Sequence, residues 1–271
     1  MKICAICDEG LKKKNSIGYL FYYEKSHRFI MELEECLDEW EAPLLFTAYV
    51  KKNIYTIPAE VSERWVRERI IPSGRQNIGM ILKNHKMKEY DEMKLLQLSK
   101  GRSSQDACYI KEIEKEEVPQ EIWNRMKDNV TECFLSEGTN LICFFRDNSV
   151  RKIDLQNLVG TNGKMEWILR NEQVMQSVKV GVGGYSIVFN DSVEIGKQIL
   201  LEKGIRLGVT AQDFLCFVQK NLLDSTETCE RLQCTKQNLT YLIKKKKLQP
   251  VHAGLQENLF SRGNVEENTW D

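Results

Sequence analysis

The clearest hydrophobic pattern in the chain lies near its carboxyl end, where apolar side chains recur with a helical period. Asp224 or Ser225 can cap a first helix, and Glu227 places a negative charge in its first turn, where the helix dipole favours it. Cys229 and Leu232 then fall on one face of that helix. The pattern predicts a short helix with one apolar side.

A second helix is predicted directly after the first. Gln233 and Cys234 form a turn, and Thr235 is placed to cap the next helix. At about 100° per residue, one side of this helix is apolar, with Leu239, Leu242 and Ile243. The opposite side is polar and carries, at its centre and flanks, Gln237, Asn238, Tyr241, Lys244 and Lys245.

The residues after the helix pair predict a small hairpin. Residues 248–251 form one extended segment, 252–258 contain Gly254 and polar turn residues, and 259–260 form the second segment. A last short helix is expected over 262–267.

This order resembles the excisionase and MerR-like winged helix-turn-helix family. The resemblance covers about the last fifth of the chain, and it is carried by residues 232–238 (LQCTKQN), 248–251 (LQPV) and 259–260 (LF). It implies that the second helix enters a DNA major groove. The residues expected to contact DNA are Thr235, Lys236, Gln237, Asn238, Thr240, Tyr241, Lys244 and Lys245.

The resemblance also divides these contacts by type. Gln237, Asn238 and Tyr241 are expected to contact bases, while Thr235, Lys236 and Lys244 are expected to contact phosphates. The hairpin would act as the wing. Near its tip it has Gln256 and Glu257 where such wings commonly carry arginines, so its contribution to binding is expected to be small.

A simpler interpretation of the same segment must be weighed. A helix pair with a capped turn can be a packing or protein-docking unit, and residues 244–247 can be a solvated helix end whose cations suit the carbonyl dipole. The turn, the apolar spacing and the hairpin together favour DNA binding over this alternative.

Charge is balanced overall and segregated along the chain. The 271 residues contain 39 Lys plus Arg and 39 Asp plus Glu, which argues against a histone-like packing protein. Residues 226–250 hold six basic and two acidic residues, a net charge of +4. The positive charge therefore concentrates on the predicted helix pair.

The composition also predicts the cellular compartment and the redox state of the cysteines. No stretch is apolar for long enough to span a bilayer, and the amino terminus lacks a secretory signal, so a cytoplasmic protein without a membrane partner is expected. Nine scattered cysteines predict reduced, largely buried thiols.

Residues 1–128 are expected to form an α+β module of unassigned role. A β-hairpin is predicted over 19–33 with its turn at 24–27. Further strands are expected at 43–50 and 54–57, helices at 61–70, 73–82, 90–98 and 122–126, and a solvated acidic connector at 112–117.

Residues 129–208 predict a small α+β domain with two hairpins, over 141–155 and 177–189, and a helix over 192–203. The segments 144–155 (FFRDNSVRKIDL), 178–180 (VKV), 184–185 (GY) and 188–189 (VF) resemble a bacterial family known as a domain of unknown function. That family occurs fused to helix-turn-helix segments, and the resemblance implies no activity.

No pattern in the chain predicts catalysis, a metal or a cofactor. Cys4 and Cys7 have the spacing of half a zinc site or a redox pair, yet no second pair matches them. The glycines at 181, 183 and 184 fit a hairpin turn better than a phosphate loop. His27, His85 and His252 lie in separate loops, and Asp147 with Asp154 fits turn formation.

The sequence therefore predicts an α+β protein of three domains, at 1–128, 129–208 and 209–271, that is not an enzyme. The favoured function is a bacterial sequence-specific DNA-binding regulator acting as a homodimer, because one small reading unit makes few contacts. The alternative is a protein-interaction adaptor or antitoxin-like protein with weak or autoregulatory DNA binding. A protein partner could then bind through residues 1–128.

Overall fold

A computed structural model describes residues 1–11, 16–254, 257–262 and 265. The chain is mixed α+β, with several antiparallel sheets, and the described residues include eleven α-helices. It divides into two compact units, one of residues 1–147 with 153–204 and one of residues 148–152 with 205–271. The first unit includes residues on both sides of the predicted boundary at 128, and the three-domain division stays a prediction.

The strands of the first unit are β1 (Lys2–Asp8), β2 (Gly18–Tyr23), β3 (Arg28–Leu33), β4 (Thr56–Ile57), β5 (Cys108–Ile113), β6 (Val130–Leu135), β7 (Asn140–Phe145), β8 (Val150–Asp154), β9 (Lys179–Val180), β10 (Ser186–Phe189) and β11 (Val193–Gly196). The first three residues of β8 belong to the second unit, whose other strands are β12 (Ile205–Arg206), β13 (Leu222–Leu223), β14 (His252–Ala253) and β15 (Asn258–Ser261).

The helices of the first unit are α1 (Thr47–Val50), α2 (Ala59–Arg67), α3 (Ile78–Asn84), α4 (Glu92–Ser99), α5 (Gln120–Arg125), α6 (Met165–Leu169), α7 (Glu172–Gln176) and α8 (Lys197–Lys203). Those of the second unit are α9 (Ala211–Asn221), α10 (Ser225–Arg231) and α11 (Lys236–Lys244). Across the described ranges, no helix is both long enough and apolar enough to cross a membrane.

The amino-terminal half of the first unit is built on a five-stranded antiparallel sheet with the strand order β4-β3-β2-β1-β5. Strand β1 was not predicted. Cys4 and Ile6 pack into the hydrophobic cluster on one face of the sheet, while Ala5 and Cys7 pack into the cluster on the other. A strand buried on both faces has a continuous apolar run and therefore lacks the alternating pattern that marks a half-exposed strand.

The expected hairpin over 19–33 is confirmed as β2 and β3, and the expected strand over 54–57 is confirmed in part as β4. The strand expected over 43–50 is wrong. The chain turns there into α1, where Phe46 and Val50 are both buried and the amide of Val50 donates to the carbonyl of Phe46 at 3.0 Å. Residues four apart share one face of a helix, so a helical turn buries both side chains on the same core.

Two further expectations in this half are corrected. Ser73 does not cap a helix: the amide of Arg75 donates to the carbonyl of Pro72, and α3 begins only at Ile78. The prediction of an acidic connector over 112–117 is wrong for residues 112–113. These residues belong to β5, which pairs with β1 at the edge of the sheet. An edge strand can carry charged side chains on its open face.

The helix expected over 192–203 is correct only in its second half, which is α8. Val193 and Ile195 instead form β11 and pair with Phe189 and Ile187 of β10. All four side chains are buried. Alternating β-branched residues fit a pleated surface better than a helix, so the tertiary pairing overrides the helical pattern.

Other predicted elements of the first unit are confirmed, including the hairpin at β9–β10 and the helices α2, α4 and α5. The strands expected within 141–155 are present as β7 and β8. Strand β6, which was not predicted, pairs with β7 across a β-bulge. Leu141, Phe145 and Phe189 lie in the hydrophobic cluster beneath these strands.

A buried polar network joins β3, α5 and α8. Glu32 of β3 is fully buried and accepts from Nε of Arg125 at 3.0 Å and from the hydroxyl of Thr56 at 2.9 Å. Nζ of Lys197 donates to the carbonyl of Arg125 at 2.8 Å and to Oδ1 of Asn129 at 2.5 Å. Burial raises the pKa of Glu32 and lowers the pKa of Lys197. Because every member is hydrogen-bonded, the network fixes how these elements pack.

The second unit begins with a short antiparallel ladder and one long helix. Ile205 and Arg206 pair with Lys152 and Arg151 of β8. Thr210 then caps α9 in a capping box, its hydroxyl accepting from the amide of Asp213 at 3.2 Å. Helix α9 was not predicted, and it leads without a linker into β13.

Candidate nucleic-acid interface

The first helix of the predicted pair is capped by Asp224. Its Oδ1 accepts from the amides of Thr226 and Glu227 at 2.7 and 2.8 Å, and Oε2 of Glu227 accepts from the amide of Asp224 at 3.0 Å. This is a capping box, and it sets the start of α10 at Ser225. Of the two caps that the sequence allowed, the structure uses Asp224.

The turn between the helices is tight because one residue adopts a left-handed conformation. Gln233 has φ 49°, its amide donates to the carbonyl of Glu230 at 3.2 Å, and the amide of Cys234 donates to the carbonyl of Cys229 at 2.9 Å. These two bonds satisfy carbonyls at the end of α10 that would otherwise have no partner. The predicted turn at Gln233 and Cys234 is confirmed.

Helix α11 begins where the hydroxyl oxygen of Thr235 accepts from the amide of Asn238 at 3.3 Å. Leu239 is buried and Leu242 and Ile243 are half-buried. They belong to the small hydrophobic core of this region, with Leu223, Cys229, Leu232, Cys234, Leu248, Phe260 and Val265. The predicted apolar side of α11 is therefore confirmed.

We call the eight residues expected to contact DNA the polar face of α11: Thr235, Lys236, Gln237, Asn238, Thr240, Tyr241, Lys244 and Lys245. Every one of them is exposed. All lie on the side of the helix away from Leu239 except Thr235 and Lys236, which lie at its amino-terminal end. The largest of them, Tyr241, has 54% of its surface open to solvent. The structure thus brings all the predicted contact residues onto one accessible stretch of helix.

Four side chains of the polar face, counting the Thr235 cap, are engaged within it. The hydroxyl of Thr240 donates to the carbonyl of Lys236 at 2.9 Å, and Nζ of Lys245 lies 5.8 Å from the ring centroid of Tyr241. In the part of the chain that the structure describes, no side-chain hydrogen bond or ion pair involves Gln237 or Lys244. Their donors and acceptors are available to a ligand.

The backbone leaves the helical path of α11 at Lys246, within the run of lysines at 244–247. Lys246 has φ 58°, and the amides of Lys246 and Lys247 donate to the carbonyls of Ile243 and Leu242, both at 3.0 Å. This left-handed cap ends the helix. Lys244 therefore extends from the helix, while Lys246 and Lys247 extend from the turn that follows.

The hairpin after α11 is present, with different bounds from those predicted. Its first strand is β14, which starts at His252, while Leu248 is fully buried in the core below. Strand β13 completes a three-stranded sheet in the order β13-β15-β14, and it was not predicted. The prediction that Leu248 lies in the first strand is wrong, because one apolar residue has the same local pattern in a strand and in a loop that packs on the core.

Gly254 forms the tight end of this hairpin. Its amide donates to the carbonyl of Glu257 at 3.0 Å, and a Cβ added to it would lie 2.5 Å from that carbonyl oxygen. Glu257 is exposed. Gln256 and most of the helix expected over 262–267 lie outside the described residues.

The cysteine pair near the amino terminus is not assembled as a site. Cys4 and Cys7 lie on opposite faces of the central sheet, in different hydrophobic clusters, so their thiols cannot bind one ion together. Among the residues that the structure describes, no three His, Cys, Asp or Glu side chains are grouped to hold a metal. Gly183 and Gly184 have positive φ and form the turn before β10.

Compared with known protein families, with curated proteins and with solved structures, the chain matched none. The likeness to winged helix-turn-helix proteins and to the family of unknown function therefore stays an expectation. The functional conclusion depends on the geometry of the helix pair.

Proposed function

We propose that the protein is a sequence-specific DNA-binding regulator that places the polar face of α11 in a major groove. The observation that supports this proposal is that α11 has one exposed polar side and one side packed against a core. Its eight polar candidates are all exposed, while Leu239, Leu242 and Ile243 are held against a core. A helix that reads DNA needs this division, because one side must be fixed and the other must offer hydrogen-bonding groups.

The available chemistry divides the contacts into two groups. Gln237 and Asn238 each offer an amide that can donate and accept toward an adenine edge. Lys236 and Lys244 offer positive charge to phosphates. The hydroxyl oxygen of Thr235 is an acceptor for the amide of Asn238, so its proton is available to a phosphate oxygen.

Thr240 and Tyr241 have narrower roles in this proposal. The hydroxyl of Thr240 already donates to the carbonyl of Lys236, so Thr240 offers a methyl group and an acceptor. Tyr241, with Lys245 beside its ring, offers an aromatic surface and a hydroxyl at the centre of the face.

The decisive experiment is a titration of the full chain onto a randomised duplex pool and onto DNA upstream of its own reading frame, at several salt concentrations. A regulator enriches one sequence, and its affinity falls with salt by about 0.9 logarithmic units per neutralised phosphate. Binding without sequence preference, or none at moderate salt, would instead favour the adaptor class, in which this region docks a protein.

A further inference from the structure

Helix α9 leaves much of its apolar surface in contact with solvent. Leu215, Phe217 and Val218 are 56%, 57% and 46% exposed, and none of the eleven residues of α9 is buried. A helix of this length is marginal in water by itself, because most helical stability in proteins comes from packing an apolar face. The side of α9 that carries Phe217 is therefore suited to burial against another surface.

The charges on α9 indicate which surface this is. Asp213, Phe217 and Lys220 are spaced by four and then three residues, so they lie on one stripe with Phe217 in the middle. Turning the helix end for end about Phe217 exchanges the positions of Asp213 and Lys220. The stripe is therefore complementary to a second copy of itself.

Both charged groups are available for such pairing. Oδ2 of Asp213 accepts from the amide and the hydroxyl of Thr210, both at 2.8 Å, which lowers the pKa of Asp213 and leaves Oδ1 free to accept. Lys220 is exposed and forms no ion pair within the described part of the chain. Gln212 and Gln219, on the side of α9 away from Phe217, are neutral.

We propose that α9 is a self-association surface on which a second copy of this chain packs antiparallel across Phe217, with reciprocal ion pairs between Asp213 and Lys220. A two-fold arrangement uses the same surface on both copies, as this stripe requires. Val218, the next residue, lies about 100° further round the helix, at the edge of the pair.

The size of the surface sets the expected strength. Phe217 exposes on the order of 100 Å² of apolar surface, and one helix pair buries much less than the roughly 800 Å² per partner of a standard interface. The free protein should therefore dimerise in the micromolar range. Since α9 continues directly into β13, the pair would also fix the spacing between two copies of α11.

Sedimentation velocity on the full chain, without DNA, tests this inference independently of the proposed function. From roughly 1 to 300 µM the natural chain should shift from monomer to dimer. Phe217→Ser should move that shift to at least about tenfold higher concentration. Leu44→Ser is the matched control, because Leu44 is 94% exposed in the other unit and should leave the shift unchanged.

A charge exchange tests the antiparallel register. Lys220→Glu and Asp213→Lys should each weaken self-association several-fold, and an equimolar mixture of the two should form heterodimers as readily as the natural chain dimerises. Gln219→Glu and Gln212→Lys introduce the same charged groups on the opposite side, each changing the net charge by one unit rather than two, and should have little effect. Circular dichroism checks that Asp213→Lys, which removes the cap partner of Thr210, keeps its helices, and Asp213→Asn provides a milder test.

Three results would overturn the proposal. The natural chain could remain monomeric throughout, which would mean that the α9 face is left open or is covered within one chain. Phe217→Ser could associate as strongly as the natural chain. The charge-exchanged mixture could dimerise no better than either variant alone.

Discussion

Asp224 and Glu227 cap the first helix of the candidate interface reciprocally. The side chain of each accepts a hydrogen bond from the backbone amide of the other, at 2.8 and 3.0 Å. Asp224 also accepts from the amide of Thr226. Asp224 therefore supplies the acceptor for two amides at the start of α10.

Replacing Asp224 by Ala should lower the free energy of unfolding by about 1 kcal/mol, because two amides lose their acceptor. Urea denaturation followed by circular dichroism measures this change. Asp224→Asn is the control, since its side-chain oxygen can still accept, and it should lose less. Equal losses for the two variants would show that the cap is not the source of the effect.

Replacing Lys246 by Gly should stabilise the chain by about 0.5–1 kcal/mol, because Lys246 has φ 58° and glycine adopts that conformation without strain. Thermal unfolding provides the measurement. Lys245→Gly removes the same charge one residue earlier, where φ is −82°, and should destabilise instead. A gain in both variants would point to relief of lysine repulsion rather than of backbone strain.

The same reasoning applies to Gln233 in the turn between the helices, where φ is 49°. Gln233→Gly should raise the melting temperature while leaving DNA affinity unchanged, because Gln233 lies outside the polar face of α11. A fall in melting temperature would contradict the left-handed turn. Gln237→Gly, inside the helix, is the matched control and should lower the melting temperature.

Gln237 and Lys244 should differ in their effect on DNA binding. Gln237→Ala should relax preference at one base position, at a cost of about 1–3 kcal/mol for the preferred base, whereas Lys244→Ala should weaken all sequences alike and reduce the salt slope by about 1. Binding isotherms on the selected site and on single-base variants measure both. If the two variants behaved identically, the proposed division between base and phosphate contacts would be wrong.

Cys4 should resist alkylation in the folded protein. Burial raises the pKa of its thiol from 9.0 to about 12, and the side chain is 1% exposed. Its thiolate fraction near neutral pH is then on the order of 1,000-fold below that of an ordinary thiol. Mass spectrometry after brief iodoacetamide treatment should find Cys36, which is exposed, labelled and Cys4 unlabelled.

Urea is the control for this labelling. Denatured chain should react at both cysteines, because unfolding exposes Cys4 and returns its pKa toward the ordinary value. Rapid labelling of Cys4 in the native protein would mean that β1 is not buried between β2 and β5.

Removing the guanidinium beside Glu32 should destabilise the first unit. Arg125→Met leaves a fully buried carboxylate without its cation, and the expected loss is about 3 kcal/mol at neutral pH. The double variant with Glu32→Gln should recover part of it. Urea denaturation of the three chains measures the differences.

The loss in Arg125→Met should shrink as the pH falls. Burial raises the pKa of Glu32 above its ordinary 4.5, and Arg125 partly opposes this. Without Arg125 the folded-state pKa lies higher still, so the folded chain binds a proton before the unfolded chain does. Lowering the pH toward 4.5 therefore favours folding of this variant. A loss that grew with acid would contradict the assignment to Glu32.

The sequence by itself determined the local features of the candidate interface. Caps, turns and helical periodicity depend on neighbours within about four residues. The sequence alone therefore predicts the cap at Thr235, the turn at Gln233 and the buried position of Leu239. The same holds for the hairpin of β2 and β3, whose polar turn and alternating strands adjoin one another.

The tertiary structure alone decided the features that depend on distant partners. Strand β1 is recognisable only once β2 and β5 flank it, and Val193 joins a strand because Phe189 lies opposite. Phe217 is a residue type that is usually buried in a core, yet its side chain is exposed. Whether an apolar side chain is covered depends on what packs against it from elsewhere, and no short segment of sequence contains that information.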